Sequence, residues 1–295
     1  MRALQVLEKN KSPEYADVDI PTPPSGFVLI RIVACGLNFA DLLLMDGSYQ
    51  ETPPIPFTLG MEISGFVEAV GEGVRDFPLG SKIAAYSGHG GLAEYGIFPA
   101  NRCILLPQNF DMFKAAGFQI TYGTSHMALF RRAQLKKNEN LLIMGAAGGI
   151  GLTAIELGKL SGSTVIAVAR GENKLKIAQK AGADYLIDSA NDNLTEQIKS
   201  LGGADVVFDS IGGNQFSDFF RACNPESRIL IIGFASGQLP KIKPNHLMVK
   251  NISVLGVNWP GYFQFNPKAV TSCLNDLIKL NQRGNLSLKV NKILP

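Results

Sequence analysis

Cysteine, histidine and tryptophan are scarce in this chain of 295 residues, with four, three and one copies. The four cysteines, Cys35, Cys103, Cys223 and Cys273, lie far apart and form no CxxC pair. That spacing excludes a four-thiolate zinc site and gives no disulfide framework, so reduced thiols are expected. His89, His126 and His246 lack the paired spacing of a metalloprotease helix. No excess of one charge is present either: 28 basic residues face 25 acidic ones, dispersed along the chain, for a net charge of +3. A nucleic-acid-binding protein would need a basic stripe, and no such partner is expected. The longest apolar runs, such as 141–144 and 165–169, fall far short of the roughly 20 residues that cross a bilayer. No membrane partner is expected. Residues 1–8 alternate apolar and polar without the charged start and long apolar middle of a signal peptide, so the expected location is cytoplasmic.

What the chain has is glycine, 31 residues of it, and 46% hydrophobic residues. At roughly 150 residues per domain its length allows about two domains, each able to bury a core. The first third reads as short strands at 28–33, 63–69 and 82–86, bounded by glycine or proline. The proline clusters at 21–24 and 53–56 are loops, because proline brings no amide donor to a sheet. Short strands with frequent turns suggest a barrel-like all-β module. Near Asn109 the pattern changes. Residues 113–132 have helical spacing broken by Gly117 and Gly123, and strands then alternate with helices. The strands are 141–144, 164–169, 185–187, 205–208, 229–232 and 252–256; the helices are 150–160, 173–181, 194–201 and 215–222. Continuous apolar strands alternating with helices predict an α/β fold with a parallel sheet covered on both faces.

The most informative stretch is Leu141-Leu142-Ile143-Met144-Gly145-Ala146-Ala147-Gly148-Gly149-Ile150-Gly151. A buried strand runs into a glycine-rich turn and a helix start, the place where a dinucleotide pyrophosphate binds free N–H groups and a partial positive charge. Ala146 stands where the first glycine is usual, and the strand–turn–helix context carries the assignment. The next strand ends Val168-Ala169-Arg170-Gly171, with Lys174 one turn further on. An NAD site expects a carboxylate at that tip for the ribose 2′-hydroxyl. Here Arg170 and Lys174 suit a 2′-phosphate instead, and NADPH is the expected cofactor. Glu172 is a mild counter-signal that first-turn solvent exposure would explain.

A catalytic zinc needs several Cys, His or carboxylate ligands converging on one ion. Cys35 and Glu62 are too few, and Asn38 and Met61 are poor ligands, so a metal-free site is expected.

Taken together, several motifs are similar to those of the medium-chain dehydrogenase/reductase superfamily, in its zinc-free quinone oxidoreductase (zeta-crystallin-like) branch. They are Gly36-Leu37-Asn38-Phe39-Ala40-Asp41, Pro56-Phe57-Thr58-Leu59-Gly60-Met61-Glu62, Gly91-Leu92-Ala93-Glu94-Tyr95, Ala146-Ala147-Gly148-Gly149-Ile150-Gly151, Asp209-Ser210-Ile211-Gly212-Gly213 and Ile232-Gly233-Phe234-Ala235-Ser236-Gly237. Zinc-dependent relatives carry Cys and His where this chain has Asn38 and Met61. The resemblance implies a Rossmann doubly wound parallel sheet plus a GroES-like β-barrel module. It divides the chain into a catalytic domain at 1–112, an NADPH-binding domain at 113–262 and a return segment at 263–295, read as truncated before the final helix and strand of relatives. It further implies Asn38 and Asp41 near the nicotinamide, Tyr49 at the substrate mouth and Thr124 at the nicotinamide ribose. Ala147, Gly148, Gly149, Ile150 and Gly151 would serve the pyrophosphate, Arg170 and Lys174 the 2′-phosphate, and Ile211 the adenosine side. Phe234, Ala235 and Ser236, with Val257, Asn258 and Trp259, would border the nicotinamide. Ser189 stands where relatives often place an aromatic residue, which weakens that cofactor contact. A homodimer through strand 252–256 is also implied.

The reaction expected on this basis is hydride transfer from NADPH to a quinone or an α,β-unsaturated carbonyl, small molecules whose conjugation spreads the developing charge. The protein must orient the reactants and place polar groups near the oxygen that gains charge. Asn38 could donate such a hydrogen bond, and Tyr49 could donate one or pass a proton. A plain loop aromatic is the competing reading of Tyr49. Asp41, grouped with Asn38 and Tyr49 as a catalytic candidate, also suits a capping role, and Glu62 and Glu94 read as structural. An NADPH-dependent enoyl-thioester reductase and a low-turnover, crystallin-like NADPH-binding protein are the alternatives.

Overall fold

Apolar alternation in the first third becomes a set of antiparallel strands. β1 (Arg2–Val6), β2 (Glu14–Asp17) and β3 (Phe27–Gly36) lead to helix α1 (Phe39–Asp46). After it come β4 (Phe57–Thr58), β5 (Glu62–Val70), β6 (Lys82–Tyr86), β7 (Tyr95–Pro99) and β8 (Cys103–Leu105). The structure, a computed structural model, describes residues 1–191, 193–290 and 292–294. The strands form two sheets, ordered β2-β1-β4 and β7-β3-β5-β6-β8. A period of two puts Val28 and Ile30 of β3, Ile63 and Val67 of β5, Ile83 and Ala85 of β6, and Phe98 of β7 into one buried cluster. Two register pairs matter later. Gly36 lies opposite Glu62, and Glu62 lies opposite Tyr86.

Helix α2 (Met112–Ala116) starts where the Asp111 side chain accepts the Lys114 N–H at 3.1 Å, and it packs on β3 and β5. The chain breaks at Gly117 and resumes as α3 (Gln119–His126), which runs into a π turn over Met127–Arg132. Gly123 does not break α3. Its role is steric: a Cβ there would stand 2.6 Å from Trp259 Nε1, so only glycine lets the indole lie against the helix.

The remainder alternates as anticipated through β9 (Asn140–Met144), α4 (Gly149–Leu160), β10 (Thr164–Ala169), α5 (Glu172–Lys180), β11 (Tyr185–Asp188), α6 (Leu194–Ser200), β12 (Ala204–Asp209), α7 (Gln215–Ala222), β13 (Cys223–Ile231) and β14 (Ser253–Gly256), with two helices that the sequence pattern did not announce, α8 (Pro244–Lys250) before β14 and α9 (Tyr262–Phe265) after it. The parallel order β11-β10-β9-β12-β13-β14 is that of a doubly wound Rossmann sheet, with the switch of direction beside β9. Leu142, Ile166 and Val207, from β9, β10 and β12, are fully buried in one cluster with Phe216 and Phe219 of α7. Each such side chain contributes roughly 1.5–3 kcal/mol by leaving water.

Helix α10 (Pro267–Gln282) follows. The Asn266 side chain caps it by accepting the Ala269 N–H at 3.2 Å. Val270, Cys273, Leu274, Leu277 and Ile278 form its buried stripe. One compact unit comprises residues 1–120 with the segment from Phe265 onward, and the other comprises Thr121–Gln264. Among the described residues no helix is long and apolar enough to cross a membrane.

Candidate functional site

In the second unit, the chain leaving β9 turns at Gly145, where φ is +76°. The N–H groups of Gly145 and Ala146 both donate to the Val168 carbonyl at 3.1 Å, tying the turn to β10. Gly148 precedes α4 without any side-chain cap, so the first-turn N–H groups of a twelve-residue helix have no side-chain acceptor. Gly151 sits against the turn: a Cβ would lie 2.4 Å from the Gly145 carbonyl oxygen and 2.8 Å from Ala146 Cα. The helix therefore packs on the strand as a dinucleotide turn requires. Ala146 is fully buried, its methyl accommodated in the interior where other such turns carry glycine. Ala147 is half-buried, while Gly148 and Gly149 are exposed.

Neighbouring loops close around the strand ends. Asp209, at the end of β12, accepts the N–H groups of Ile211 at 2.9 Å and Gly212 at 3.0 Å on Oδ1. Burial pushes its carboxyl up despite those bonds. The N–H groups of Ala235 and Ser236 donate to the Ser210 and Ile211 carbonyls at 3.1 and 3.0 Å. That joins the loop carrying the exposed Phe234, Ala235 and Ser236 to the one carrying Ile211. Val257 continues from β14, its N–H bonded to the Ile231 carbonyl, and Asn258 Oδ1 accepts the Gly261 N–H. Thr124 is buried on α3, two residues before His126. Trp259 is not at a surface. It is 1% exposed, wedged between Gly123 and the Phe263 ring, whose centroid lies 5.1 Å away.

At the end of β10, Arg170 and Lys174 are exposed, and neither makes an ion pair among the described residues. Glu172 is engaged elsewhere, paired with Lys176 at 2.7 Å one helical turn on. Asp188 holds the N–H groups of Ala190 and Gly171 at 2.9 and 3.1 Å. Those two bonds, aided by the Arg170 charge, keep its carboxyl below the usual range. Ser189 follows, its N–H bonded to the Ala169 carbonyl and its own carbonyl accepting from Gln215 Nε2.

The first unit gathers a second set of polar groups at the end of β3. Asn38 and Asp41 stand at the two positions of a capping box on α1, with Asn38 extended at the N-cap. The Asp41 half is made, because its Oδ2 accepts the Asn38 N–H at 2.8 Å, the capping role anticipated for it. The other half sets the Asp41 N–H against the Asn38 side chain. The Asp41 N–H donates to the Asn38 backbone carbonyl at 3.0 Å. Asn38 Nδ2 donates to Glu62 Oε1 at 3.0 Å and to the Gly36 carbonyl at 3.4 Å. Glu62 is 1% exposed, and its Oε2 accepts the Ile120 N–H at 3.0 Å. Burial outweighs these hydrogen bonds, and a further one from the Gln119 backbone, and pushes its carboxyl up to about 7. The Cys35 thiol is driven well up by burial and then by the charges of Asp41 and Glu62.

Tyr49 follows the left-handed Gly47 that ends α1, where Ser48 and Tyr49 both donate N–H to the Leu43 carbonyl. Its half-buried phenol is pushed up by desolvation, against a hydrogen bond from the Tyr86 side chain. Tyr86 is itself buried, its hydroxyl pushed up by desolvation, with the Arg102 guanidinium 5.9 Å from its ring centroid. Sequence reading singled out neither Tyr86 nor the Asn38–Glu62 bond. The available signal was the sheet register, which pairs Glu62 with Gly36 on one side and Tyr86 on the other. Gln119 was also missed: it is 1% exposed, and neither side-chain polar atom is bonded among the described residues.

These groups do not suit a metal. Among the described residues no three His, Cys, Asp or Glu side chains come together to hold an ion. Glycine-turn geometry and paired cations, by contrast, suit a phosphorylated dinucleotide.

Comparisons with known proteins agree with this geometry. A family model described as the alcohol dehydrogenase GroES-like domain matches residues 24–108, and one described as zinc-binding dehydrogenase matches 149–276. A quinone oxidoreductase-like protein 2 homolog from Nematostella vectensis is 34% identical over 88% of this chain and 72% of its own length. A mycobacterial protein solved with NADPH superimposes with a TM-score of 0.91 at 25% identity, covering 98% of this chain and 91% of that one. The quinone oxidoreductase of Thermus thermophilus, also solved with NADPH, gives 0.81 at 30% identity over 95% and 87%. The chain therefore belongs to the medium-chain dehydrogenase/reductase superfamily, in its quinone oxidoreductase branch.

Proposed function

We propose that this protein is an NADPH-dependent reductase that delivers a hydride to quinones or α,β-unsaturated carbonyls without a metal. The observation that carries this reading is the end of β10, where Arg170 and Lys174 stand exposed and free of ion pairs among the described residues. The uncapped N-terminus of α4 lies beyond the adjoining glycine turn. Amide N–H groups of that first turn would bind a pyrophosphate, and the two cations a 2′-phosphate.

Bound NADPH would supply the hydride. The chain's own residues orient and polarise. Gly148 and Gly149 leave the α4 N-terminus open to phosphate, and the paired loops at Ile211 and 234–236 border the rest of the cofactor. Asn38 and Tyr49 address the acceptor's oxygen. Tyr49 serves as a hydrogen-bond donor, with Tyr86 donating to it in turn and so strengthening its own donation. Asp41 and Glu62 fix Asn38 by its backbone N–H and its carboxamide. The open edge of the six-stranded sheet, β14, beside the exposed Met248 and Val249, suits a homodimer.

NADPH oxidation measured against a panel of short quinones, enones and a crotonyl thioester tests the proposal. Turnover with quinones or enones exceeding that with the thioester supports it. Preference for the thioester favours an enoyl-thioester reductase, and tight NADPH binding without oxidation of any kind favours a binding protein.

A further inference from the structure

Two buried hydroxyls stand between α3 and α4, outside the groups assigned to cofactor or acceptor. Ser125 is fully buried on α3, and Thr153 is 6% exposed on α4. Their oxygens lie 2.8 Å apart. Ser125 Oγ is also 2.9 Å from the Ile150 carbonyl oxygen, across the gap on α4. Thr153 Oγ1 is 3.0 Å from the Thr121 carbonyl oxygen on α3 and 3.0 Å from that of Ile150 on its own helix. Each hydroxyl has a single proton to give, and the contact between them takes one. If Ser125 supplies it, Thr153 donates onward to Thr121, sharing its proton with Ile150. If Thr153 supplies it, Ser125 donates to Ile150. Both arrangements chain the hydroxyls into a link from helix to helix, and bonds in such a chain strengthen one another.

The backbone groups so joined sit where a dinucleotide would be held. Ile150 belongs to the first turn of α4, whose N–H groups suit a pyrophosphate. Thr121 and Ser125 share one face of α3, a helical turn apart, and Thr124 lies beside that face. Thr121 Cγ2 is 3.3 Å from where a Gly149 Cβ would stand, so this part of α3 borders the start of α4 directly. Deeper along α4, the Tyr122 hydroxyl donates to the Glu156 carboxylate. Gly123, on the opposite face of α3, receives the Trp259 ring. Methyl groups alone would fill the gap that Ser125 and Thr153 occupy. Buried hydroxyls are costly unless bonded, so these two favour the one spacing of the helices at which their bonds close.

We propose that Ser125 and Thr153 are positioning residues for the dinucleotide: they fix the spacing between the first turn of α4 and Thr124, and with it the placement of the nicotinamide half relative to the phosphates. The role rests on the reading of that turn as the pyrophosphate site and of Thr124 as the ribose contact. It is confined to one half of the cofactor. Arg170, Lys174 and Ile211, read as the adenosine side, follow β10 and β12, and the hydroxyl link touches neither strand. Loosening the link therefore leaves the adenosine half in place and lets the ribose contact drift. A drift of about 1 Å at a reacting centre costs about a hundredfold in rate, so the link serves hydride transfer as well as binding.

The test compares two ligands by calorimetric titration of the full chain: NADPH, and 2′-phospho-ADP-ribose, which has both phosphate groups but no nicotinamide. Thr153→Val removes one hydroxyl and keeps the side chain's shape. It should bind 2′-phospho-ADP-ribose within about twofold of the parent and NADPH about tenfold more weakly, the worth of one lost hydrogen bond. Thr153→Ser, which keeps the hydroxyl, should restore NADPH affinity. Ser125→Ala should repeat the selective loss and decides the matter if Thr153→Val does not fold. The double variant should lose little beyond either single one, because the two hydroxyls act as one link. Equal weakening of both ligands, or no change in either, overturns the proposal: a merely structural role would lower the melting temperature without separating the two. Thr124→Ala, titrated in parallel, distinguishes the underlying reading. If it leaves NADPH affinity intact, the ribose assignment of Thr124 falls on that result, whereas a Thr153→Val protein that binds like the parent refutes the positioning role itself.

Discussion

Replacing Gly151 by alanine probes the packing that makes the cofactor crevice. The added Cβ would stand 2.4 Å from the Gly145 carbonyl oxygen, 2.8 Å from Ala146 Cα and 2.9 Å from the Ala146 carbonyl carbon. All three are backbone atoms, so no side chain can rotate away. Contact at about 3.5 Å requires the first turn of α4 to back off by roughly 1 Å. Overpacking of that kind costs about 1–3 kcal/mol, and alanine's better helix propensity returns less than about 1 kcal/mol. A net loss of about 2 kcal/mol lowers the melting temperature by roughly 4–8 °C. The same displacement moves the helix N–H groups from the phosphates and should weaken NADPH about tenfold. Gly149→Ala is the control. Its Cβ would meet only Thr121 Cγ2, at 3.3 Å, so stability should change by less than about 0.5 kcal/mol. Its methyl nonetheless stands on the exposed turn, and NADPH binding should weaken without a change in melting. Thermal unfolding and a fluorescence titration with NADPH read both quantities. A Gly151→Ala protein that melts and binds like the parent would refute the reasoning.

Other consequences can be measured separately. Gly123→Ala places a methyl 2.6–2.9 Å from three atoms of the Trp259 ring. Stability should fall by about 1–3 kcal/mol, and emission from the chain's one tryptophan should shift as the indole is displaced. Burial raises the Glu62 carboxyl from 4.5 to about 7 on folding, so the native state binds the extra proton. Its contribution to stability is complete below the unfolded value and is lost as pH rises through about 7, by about 3 kcal/mol in all. Denaturation of the parent and Glu62→Gln at several pH values should show their stability difference growing between those limits and then levelling. A difference independent of pH would contradict the buried-acid assignment.

The strand–helix alternation of the second unit is legible because its strands, buried on both faces, are nearly unbroken apolar runs. The extents anticipated for 164–169 and 215–222 coincide with β10 and α7. Helix α10 lies beyond that alternation, yet Asn266, Pro267 and the 270/273/274/277/278 spacing specify it locally. Gly123 shows where local grammar fails. A glycine in a helical pattern reads as a break, and only the tertiary approach of Trp259 explains why none occurs.

The candidate residues of the two units differ in the same way. The glycine turn, Arg170 and Lys174 fall within one βαβ unit, and their chemistry can be read from spacing. Asn38 and Glu62 are 24 residues apart and Tyr49 and Tyr86 further still. Their association depends on strand register, which single-sequence patterns do not encode. Asn38 is the sharpest case: the resemblance makes it a hydrogen-bond donor near the nicotinamide, and only the structure shows its Nδ2 bonded to the buried Glu62 carboxylate.

The electrostatic discrimination at the end of β10 is the claim everything functional leans on. Its most direct measurement is a paired titration of the parent and an Arg170→Ala/Lys174→Ala double variant with NADPH and NADH. Each cation facing a phosphate of nearly two negative charges should be worth about tenfold in affinity. The parent should therefore prefer NADPH strongly, and the double variant should lose roughly a hundredfold for NADPH while NADH binding is unchanged. Equal affinity of the parent for the two cofactors would contradict the account.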